Sequence, residues 1–192
     1  MNDQEKLKQP RSMEGLWHDT VASGFSMASD PLTCSLLRTL AASKPSGRFL
    51  ELGSGTGLST AWILDGMDQT SSLTTVDNDA CFLAILDKHL GSDPRLEIVC
   101  ADGDAFLQSQ GDAQYDFIFA DAWSGKYRLL DQTLQLLSKG GLYIIDDMLP
   151  QANWPDGHAS KVDDLIHQLV SDTRFHVTKL SWASGIIVAT RL

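Results

Sequence analysis

Phe49-Leu50-Glu51-Leu52-Gly53-Ser54-Gly55-Thr56-Gly57-Leu58-Ser59-Thr60 decides the fold of this chain. A short apolar run holding one acid ends in a Gly-x-Gly-x-Gly turn. Thr60-Ala61-Trp62-Ile63-Leu64 beyond it reads as a helix. A strand entering a helix through a turn almost free of side chains offers backbone N–H groups and a helix N-terminus to a ligand. The pattern departs from the dinucleotide Gly-x-Gly-x-x-Gly, because position 58 is Leu. Glu51 beside the turn suits a ligand with an amino group and a sulfonium better than one with two phosphates.

Outward from this turn the chain alternates between strand and helix signals. Strands are predicted at Arg48–Gly53, Leu73–Asp77, Leu96–Cys100, Tyr115–Asp121 and Leu142–Asp146. They are nearly continuous apolar runs, as expected of parallel strands covered on both faces. Helical patterns fall between them, near residues 58–66, 79–90, 103–109 and 126–138, with another at Pro31–Ser43. The alternation implies a doubly wound α/β sheet. A helix over Ser160–Ser171 precedes two strands, Phe175–Trp182 and Gly185–Thr190, with Ala183-Ser184 between them. So short a link permits a hairpin and forbids a parallel crossover, so the last strand should run antiparallel.

Ligands of open parallel sheets bind beyond the carboxyl ends of the strands. Here those ends are acidic: Glu51 in the first strand, Asp77 after the second, Asp102 after the third, Asp121 after the fourth, Asp146-Asp147 after the fifth. Any single one of these acids is equally well explained as a helix N-cap. That explanation weakens for all five ends together. Asp77 stands where a carboxylate accepts ribose hydroxyls. Asp102-Gly103-Asp104 suits an adenine edge, and Asp121 a cationic centre or a metal.

The totals set limits. At 192 residues the chain is expected to be one domain: residues 1–12 frayed, 13–45 N-terminal helices, and 46–192 the ligand-binding core. Its 25 acids against 15 bases give a net charge of −10, which disfavours nucleic acid and anionic membranes as partners. No apolar run approaches the ~20 residues of a membrane span. The polar start, Met1 to Arg11, lacks a signal core. The three cysteines, Cys34, Cys81 and Cys100, lack CxxC spacing and read as buried free thiols of a reducing cytoplasm.

Taken together, these residues resemble the class I S-adenosylmethionine-dependent methyltransferases, and most of all the small catechol and caffeoyl-CoA type O-methyltransferases. The resemblance spans residues 25 to 192. It implies a Rossmann-like doubly wound sheet of seven strands, mostly parallel with an antiparallel last strand, and helices on both faces. It implies S-adenosylmethionine as cofactor. Gly53, Ser54 and Gly57 would approach the methionine part, Glu51 its amino group and Ser59 its carboxylate, with Gly55 in the same cofactor-binding loop. Asp77 would bind the ribose, with Asn78 beside the adenosine. Asp102, Gly103 and Asp104 would form the adenine-side turn. Asp121-Ala122-Trp123 is similar to the Asp-x-Trp of the catechol enzymes, whose tryptophan packs near the cofactor. A small-molecule methyl acceptor and a homodimer are the partners implied.

On the acceptor side the match is partial. The family binds a divalent cation, Mg²⁺ or another, through residues that correspond to Asp121, Asp146 and Asp147, with Asn usual at the last position. A third carboxylate is still a ligand for a hard cation. The family's lysine general base falls on Ser124, two residues before Lys126. Asp121 and Lys126 are therefore the candidate catalytic pair, against the alternative that Lys126 is a solvated lysine at a helix start. Pro150 to His158, including Asn153, Trp154 and His158, reads as a substrate loop; Trp154 serves equally as wall or core cover. Met13 to Met27, with Trp17, and Ser26 to Ser29 correspond to the segment that lies across the cofactor in relatives. Two other readings stay open. Ser124 and Asp147 permit a cofactor-binding module without catalysis. Asp77 permits an NAD-type oxidoreductase, which the missing third glycine and the lack of a Tyr-x-x-x-Lys set disfavour.

Overall fold

The computed structural model describes residues 2–3, 7–151 and 154–192. Its helices are α1 (Met13–Ser23), α2 (Pro31–Ala42), α3 (Leu58–Gly66), α4 (Ala80–Leu90), α5 (Gly103–Ser109), α6 (Leu130–Gln135) and α7 (His158–Ser171). Its strands are β1 (Arg48–Leu52), β2 (Ser72–Asp77), β3 (Leu96–Cys100), β4 (Tyr115–Ala120), β5 (Leu137–Ile145), β6 (Phe175–Leu180) and β7 (Ile186–Arg191). They form one sheet in the order β3-β2-β1-β4-β5-β7-β6. The first five are parallel; β7 runs antiparallel between β5 and β6. The fold class expected from the sequence is the one observed.

The apolar strand runs work as two alternating sets. Phe49, Phe117, Phe119 and Ile144 point to one face and join Leu16, Leu37, Trp62 and Leu86 from α1–α4. Leu50, Ile118, Tyr143 and Ile145 point to the other face and join Leu107, Leu134 and Leu165 from α5–α7. The period of two thus divides each strand between two cores. Strand order reverses between β1 and β4, and such a reversal opens a crevice at the carboxyl ends. The glycine turn and Asp121 flank that crevice.

Four expectations are corrected. The helix predicted over 126–138 is only α6, because Gly125 at φ 80° and Leu129 at φ 55° hold the preceding segment as a turn. Leu137 already pairs with Tyr115, and a register shift before Leu142 makes β5 begin earlier than predicted. The β6–β7 link spans residues 181–185 rather than two residues. Cys34 is buried, but Cys81 and Cys100 are exposed: one lies in the first turn of α4 and the other on the edge strand β3. The described part of the leader is held. Leu7 packs on the first core, and the Lys8 carbonyl accepts a hydrogen bond from Arg38. Residues 1 and 4–6, and Asn153 of the expected substrate loop, lie outside the described residues.

Candidate active site

The strand ends open into a cavity of about 1000 Å³, and a cleft of about 230 Å³ shares Gly53, Asp77 and Trp123 with it. Glu51, on β1 two residues before Gly53 of the glycine turn, is 0% exposed. Its Oε2 accepts from the hydroxyls of Thr60 (2.5 Å) and Thr75 (2.6 Å), while Oε1 has no partner. Burial raises the Glu51 pKa, and the hydroxyls of Ser59, Thr60 and Thr75 pull it back down. Ser54 Oγ, in the cavity lining, is also buried without a partner. A buried polar atom left unmade costs about 1–3 kcal/mol. A ligand bearing an ammonium and a carboxylate would satisfy both atoms, so the residues present fit the methionine part of the implied cofactor.

The glycine loop is fixed by its backbone. The Gly53 N–H donates to the Val76 carbonyl (2.8 Å) and the Gly55 N–H to Asp77 Oδ2 (2.8 Å). Gly53 has φ 90°, and a Cβ there would lie 2.9 Å from the Asp121 carbonyl oxygen. Only glycine tolerates both conditions. Gly57, expected at the methionine part, instead starts α3 and packs on the Leu86 side chain, outside the cavity lining. Ser59, expected at the cofactor carboxylate, lies in the first turn of α3 and lines the cavity.

On the adenosine side, Asp77 Oδ1 accepts from the Asp79 N–H (3.0 Å). Each of its oxygens keeps a second lone pair for a hydroxyl donor. Exposed Asn78 lines both cavities. Asp102 caps α5 through Ala105 N–H (3.0 Å) and lines the smaller cleft with Gly103. Its N-cap role is therefore real, as it is not for Asp121 or Asp146, which start no helix. Asp104 Oδ2 pairs with Arg128 Nε at 2.6 Å, and the other Arg128 arm donates to Ser124 Oγ (2.9 Å). Ser124 is buried against Gly103. Ser124, in the place of the family's lysine, thus braces the turn at Gly103 together with Arg128.

Asp121, Asp146, Asp147 and Lys126 come together in the lining of the larger cavity. Lys126 is only 5% exposed, so it is no solvated helix-start residue. The Gly125 turn re-aims it, and its Nζ donates to the Asp146 carbonyl at 2.6 Å. Burial pushes the Lys126 pKa down, and the charges of Asp121, Asp147 and Asp146 pull it back. Asp121 is raised by burial first and by the Asp146 charge second, with Lys126 opposing. Asp146 Oδ1 accepts from the Asp147 N–H (2.8 Å) and from the Ser184 hydroxyl, and Asp121 Oδ2 accepts from Ser29 (3.0 Å). Among the described residues no group of three or more His, Cys, Asp or Glu side chains is placed to hold a metal ion. The trio expected to bind Mg²⁺ is thus brought to one cavity but is not placed around a common point as a metal site.

Aromatic side chains wall the same cavity. Trp123 stands edge-on to Tyr127 at 5.7 Å, with the Lys161 ammonium 4.2 Å from its ring centre. His158 packs on Trp154 at 4.7 Å, and its Nε2 is 3.2 Å from the Tyr127 hydroxyl. Burial lowers the His158 pKa, and the Lys126 and Lys161 charges lower it further. Trp154 is thus both wall and partial core cover.

Several supporting residues have no sequence signal. Thr20 on α1 bonds the Thr56 hydroxyl of the glycine loop at 2.8 Å, and Phe25 lies over Gly55. Ser29 and Ser184 reach Asp121 and Asp146 across 92 and 38 residues of chain. Only the resemblance of Met13–Met27 and Ser26–Ser29 to a cofactor-covering segment pointed at any of them; Phe25, Ser29 and Ser184 line the cavity.

Comparison with known proteins agrees with this architecture. A protein of Mycobacterium sp. (strain KMS), provisionally named an O-methyltransferase, is 25% identical over 174 residues, covering 85% of this chain and 79% of that one. The O-methyltransferase from Bacillus cereus, solved in complex with SAH, has a TM-score of 0.86 at 18% identity, covering 99% of this chain and 94% of that one. A provisionally named caffeoyl-CoA O-methyltransferase from Staphylococcus aureus has a TM-score of 0.77 at 19% identity, covering 94% and 92%. The resemblance drawn from the glycine loop and strand-end acids is thereby borne out. No helix among the described residues is long and apolar enough to cross a membrane. The family model described as a methyltransferase domain matches residues 50–148, more than half of the sequence, and the chain belongs to that family.

Proposed function

We propose that the chain is an S-adenosylmethionine-dependent O-methyltransferase whose acceptor is a small molecule. The observation that carries this reading is the pair of unpartnered buried atoms, Glu51 Oε1 and Ser54 Oγ, beside the glycine turn. Pockets for drug-sized ligands span roughly 300–1000 Å³. A cavity of about 1000 Å³ therefore has room for a donor and a modest acceptor together.

Bound there, S-adenosylmethionine supplies an electrophilic methyl group on a sulfonium. Glu51 and Ser54 hold its amino-acid end, Asp77 and Asn78 its ribose side, and Asp102 and Gly103 its adenine side. The O–CH₃ bond forms as the C–S bond breaks, and the electron pair of that bond stays on sulfur. Asp121 takes the acceptor's proton, since burial makes its ionised form a stronger base than an ordinary carboxylate. Trp123, Tyr127 and Trp154 exclude water and orient the acceptor, since alignment of reacting atoms supplies much of the rate of such a displacement. The test is isothermal titration with S-adenosylhomocysteine. Saturable binding to the folded protein is expected; no heat of binding from protein with a cooperative unfolding transition would overturn the proposal.

A further inference from the structure

Tyr127 and His158 meet in the cavity lining, the Tyr127 hydroxyl oxygen 3.2 Å from His158 Nε2. Each is held by its own backbone. The Tyr127 N–H donates to the Trp123 carbonyl (2.9 Å), and the His158 N–H donates to the Pro155 carbonyl (3.1 Å), directly after Gly157 at φ 78°. The rings of Trp154 and Trp123 pack on the imidazole at 4.7 and 5.9 Å, and His158 is only 6% exposed. Its Nδ1 is buried and has no partner. Burial first, then the Lys126 and Lys161 charges, lower the His158 pKa, so the ring is neutral near neutral pH and carries one N–H. A hydrogen on Nδ1 would be a buried donor facing nothing. Buried N–H groups without an acceptor are rarer than under-satisfied acceptors. A hydrogen on Nε2 has the Tyr127 oxygen to donate to. The Tyr127 hydroxyl then keeps its own hydrogen for another partner, and among the described residues its oxygen bonds only His158. Burial, followed by the Asp147 and Asp121 charges, pushes the Tyr127 pKa up to about 12, so that hydrogen stays in place.

We propose that Tyr127 binds the methyl acceptor by donating its hydroxyl hydrogen to a second oxygen of that molecule, and that His158 is the positioning residue whose Nε2–H turns this hydrogen away from itself. The inference rests on the methyltransferase reading above and deepens it by setting what the acceptor carries. The oxygen that takes the methyl group has to give up its proton, and a donor on it would weaken its attack. Tyr127 therefore serves a different oxygen. The acceptor class is a flat ring compound, suited to walls of Trp123, Tyr127, Trp154 and His158. It bears one hydroxyl for methylation and, apart from it, a carbonyl or ether oxygen that accepts a single hydrogen bond. A neutral oxygen suits this cavity better than a carboxylate, because Asp121, Asp146 and Asp147 line it too.

The experiment titrates the full chain, loaded with S-adenosylhomocysteine, with meta- and para-hydroxybenzaldehyde as probes. Each is set against the matching vinylphenol, in which a CH₂ replaces the carbonyl oxygen. Wild-type protein is expected to bind at least one aldehyde about three- to tenfold more tightly than its vinyl partner, the worth of one net hydrogen bond. Tyr127→Phe is expected to lose that preference. His158→Phe should weaken it, and His158→Gln, whose amide restores an N–H donor, should recover it. NMR of the histidine ring nitrogens is expected to find the His158 hydrogen on Nε2. A wild-type protein that prefers neither aldehyde would overturn the proposal. So would a preference that survives in Tyr127→Phe, or a His158 hydrogen on Nδ1. If Tyr127→Phe fails to fold, the wild-type titration and the spectrum decide. Binding of S-adenosylhomocysteine is measured on the same samples. Its failure refutes the methyltransferase reading, whereas intact binding without an aldehyde preference refutes only the role of Tyr127 and His158.

Discussion

Replacing Glu51 by Gln separates what this residue does for the fold from what it does for the ligand. The wild-type carboxylate sits fully buried with one oxygen bonded to two threonine hydroxyls and the other bonded to nothing. Gln keeps the shape and one acceptor, which can remain with Thr60 and Thr75. It places an amide NH₂ where the empty oxygen was, and a donor there faces the ligand's ammonium. The loss is one charge-assisted hydrogen bond, about 1.5–3 kcal/mol, which corresponds to about 10- to 150-fold in Kd. Stability moves the other way. Burial raises the folded-state pKa of Glu51, so its contribution is fully present below the ordinary glutamate range and is lost as pH rises through the raised value. Near neutral pH the ligand-free protein therefore carries an uncompensated buried charge that Gln removes. Ligand-free Glu51→Gln is expected to melt at or above the wild-type temperature, and its advantage should vanish at acid pH. Titration calorimetry with S-adenosylhomocysteine and scanning calorimetry of both proteins measure the two effects. A variant that melts like wild type and binds with wild-type affinity would refute the assignment of Glu51 Oε1 to the ligand.

Three further outcomes follow from the same geometry. Gly53→Ala forces a side chain at φ 90° within 2.9 Å of the Asp121 carbonyl oxygen; a strained backbone of this kind costs about 1–3 kcal/mol, so the urea midpoint should fall and cofactor affinity with it. Thr56→Val leaves the buried Thr20 hydroxyl its bond to the Leu16 carbonyl but removes its loop partner, at about 0.5–1.5 kcal/mol, and protection of the loop amides in hydrogen exchange should drop. Lys126→Met leaves the Asp146 carbonyl without its donor, at about 1–3 kcal/mol, and removes the charge that opposes the raised Asp121 pKa. Because unneutralised acids take raised pKa values, that deficit should be largest at high pH and shrink as pH falls through the carboxylate range, as urea melts at several pH values would show.

The sheet was legible because its strands are buried on both faces and so spell themselves as apolar runs, and because a turn of three glycines admits few structures. The error at 126–138 has a local cause. Leu130, Leu134 and Leu137 are spaced as one helical stripe, but Leu137 belongs to β5, and only its pairing with Tyr115 shows where the helix stops. The site divides in the same way. Glu51, Asp77 and Asp121 could be read because each stands at a strand end, a position set by the local sequence. Ser29 and Ser184 could not, since they reach the acids from distant segments of the chain. Lys126 was ambiguous between surface and site. A lysine's burial depends on partners brought to it by the fold, here the Asp146 carbonyl 20 residues further along the chain. Asp102 shows the converse, since the same residue both caps α5 and lines the smaller cleft.

The most direct test of the central claim is a crystal structure of the protein with S-adenosylhomocysteine. The account predicts the ligand amino group within hydrogen-bond distance of Glu51 Oε1, a ribose hydroxyl on Asp77 and the base in the cleft beside Asp102 and Gly103. A bound ligand that leaves Glu51 Oε1 and Ser54 Oγ unengaged would contradict it.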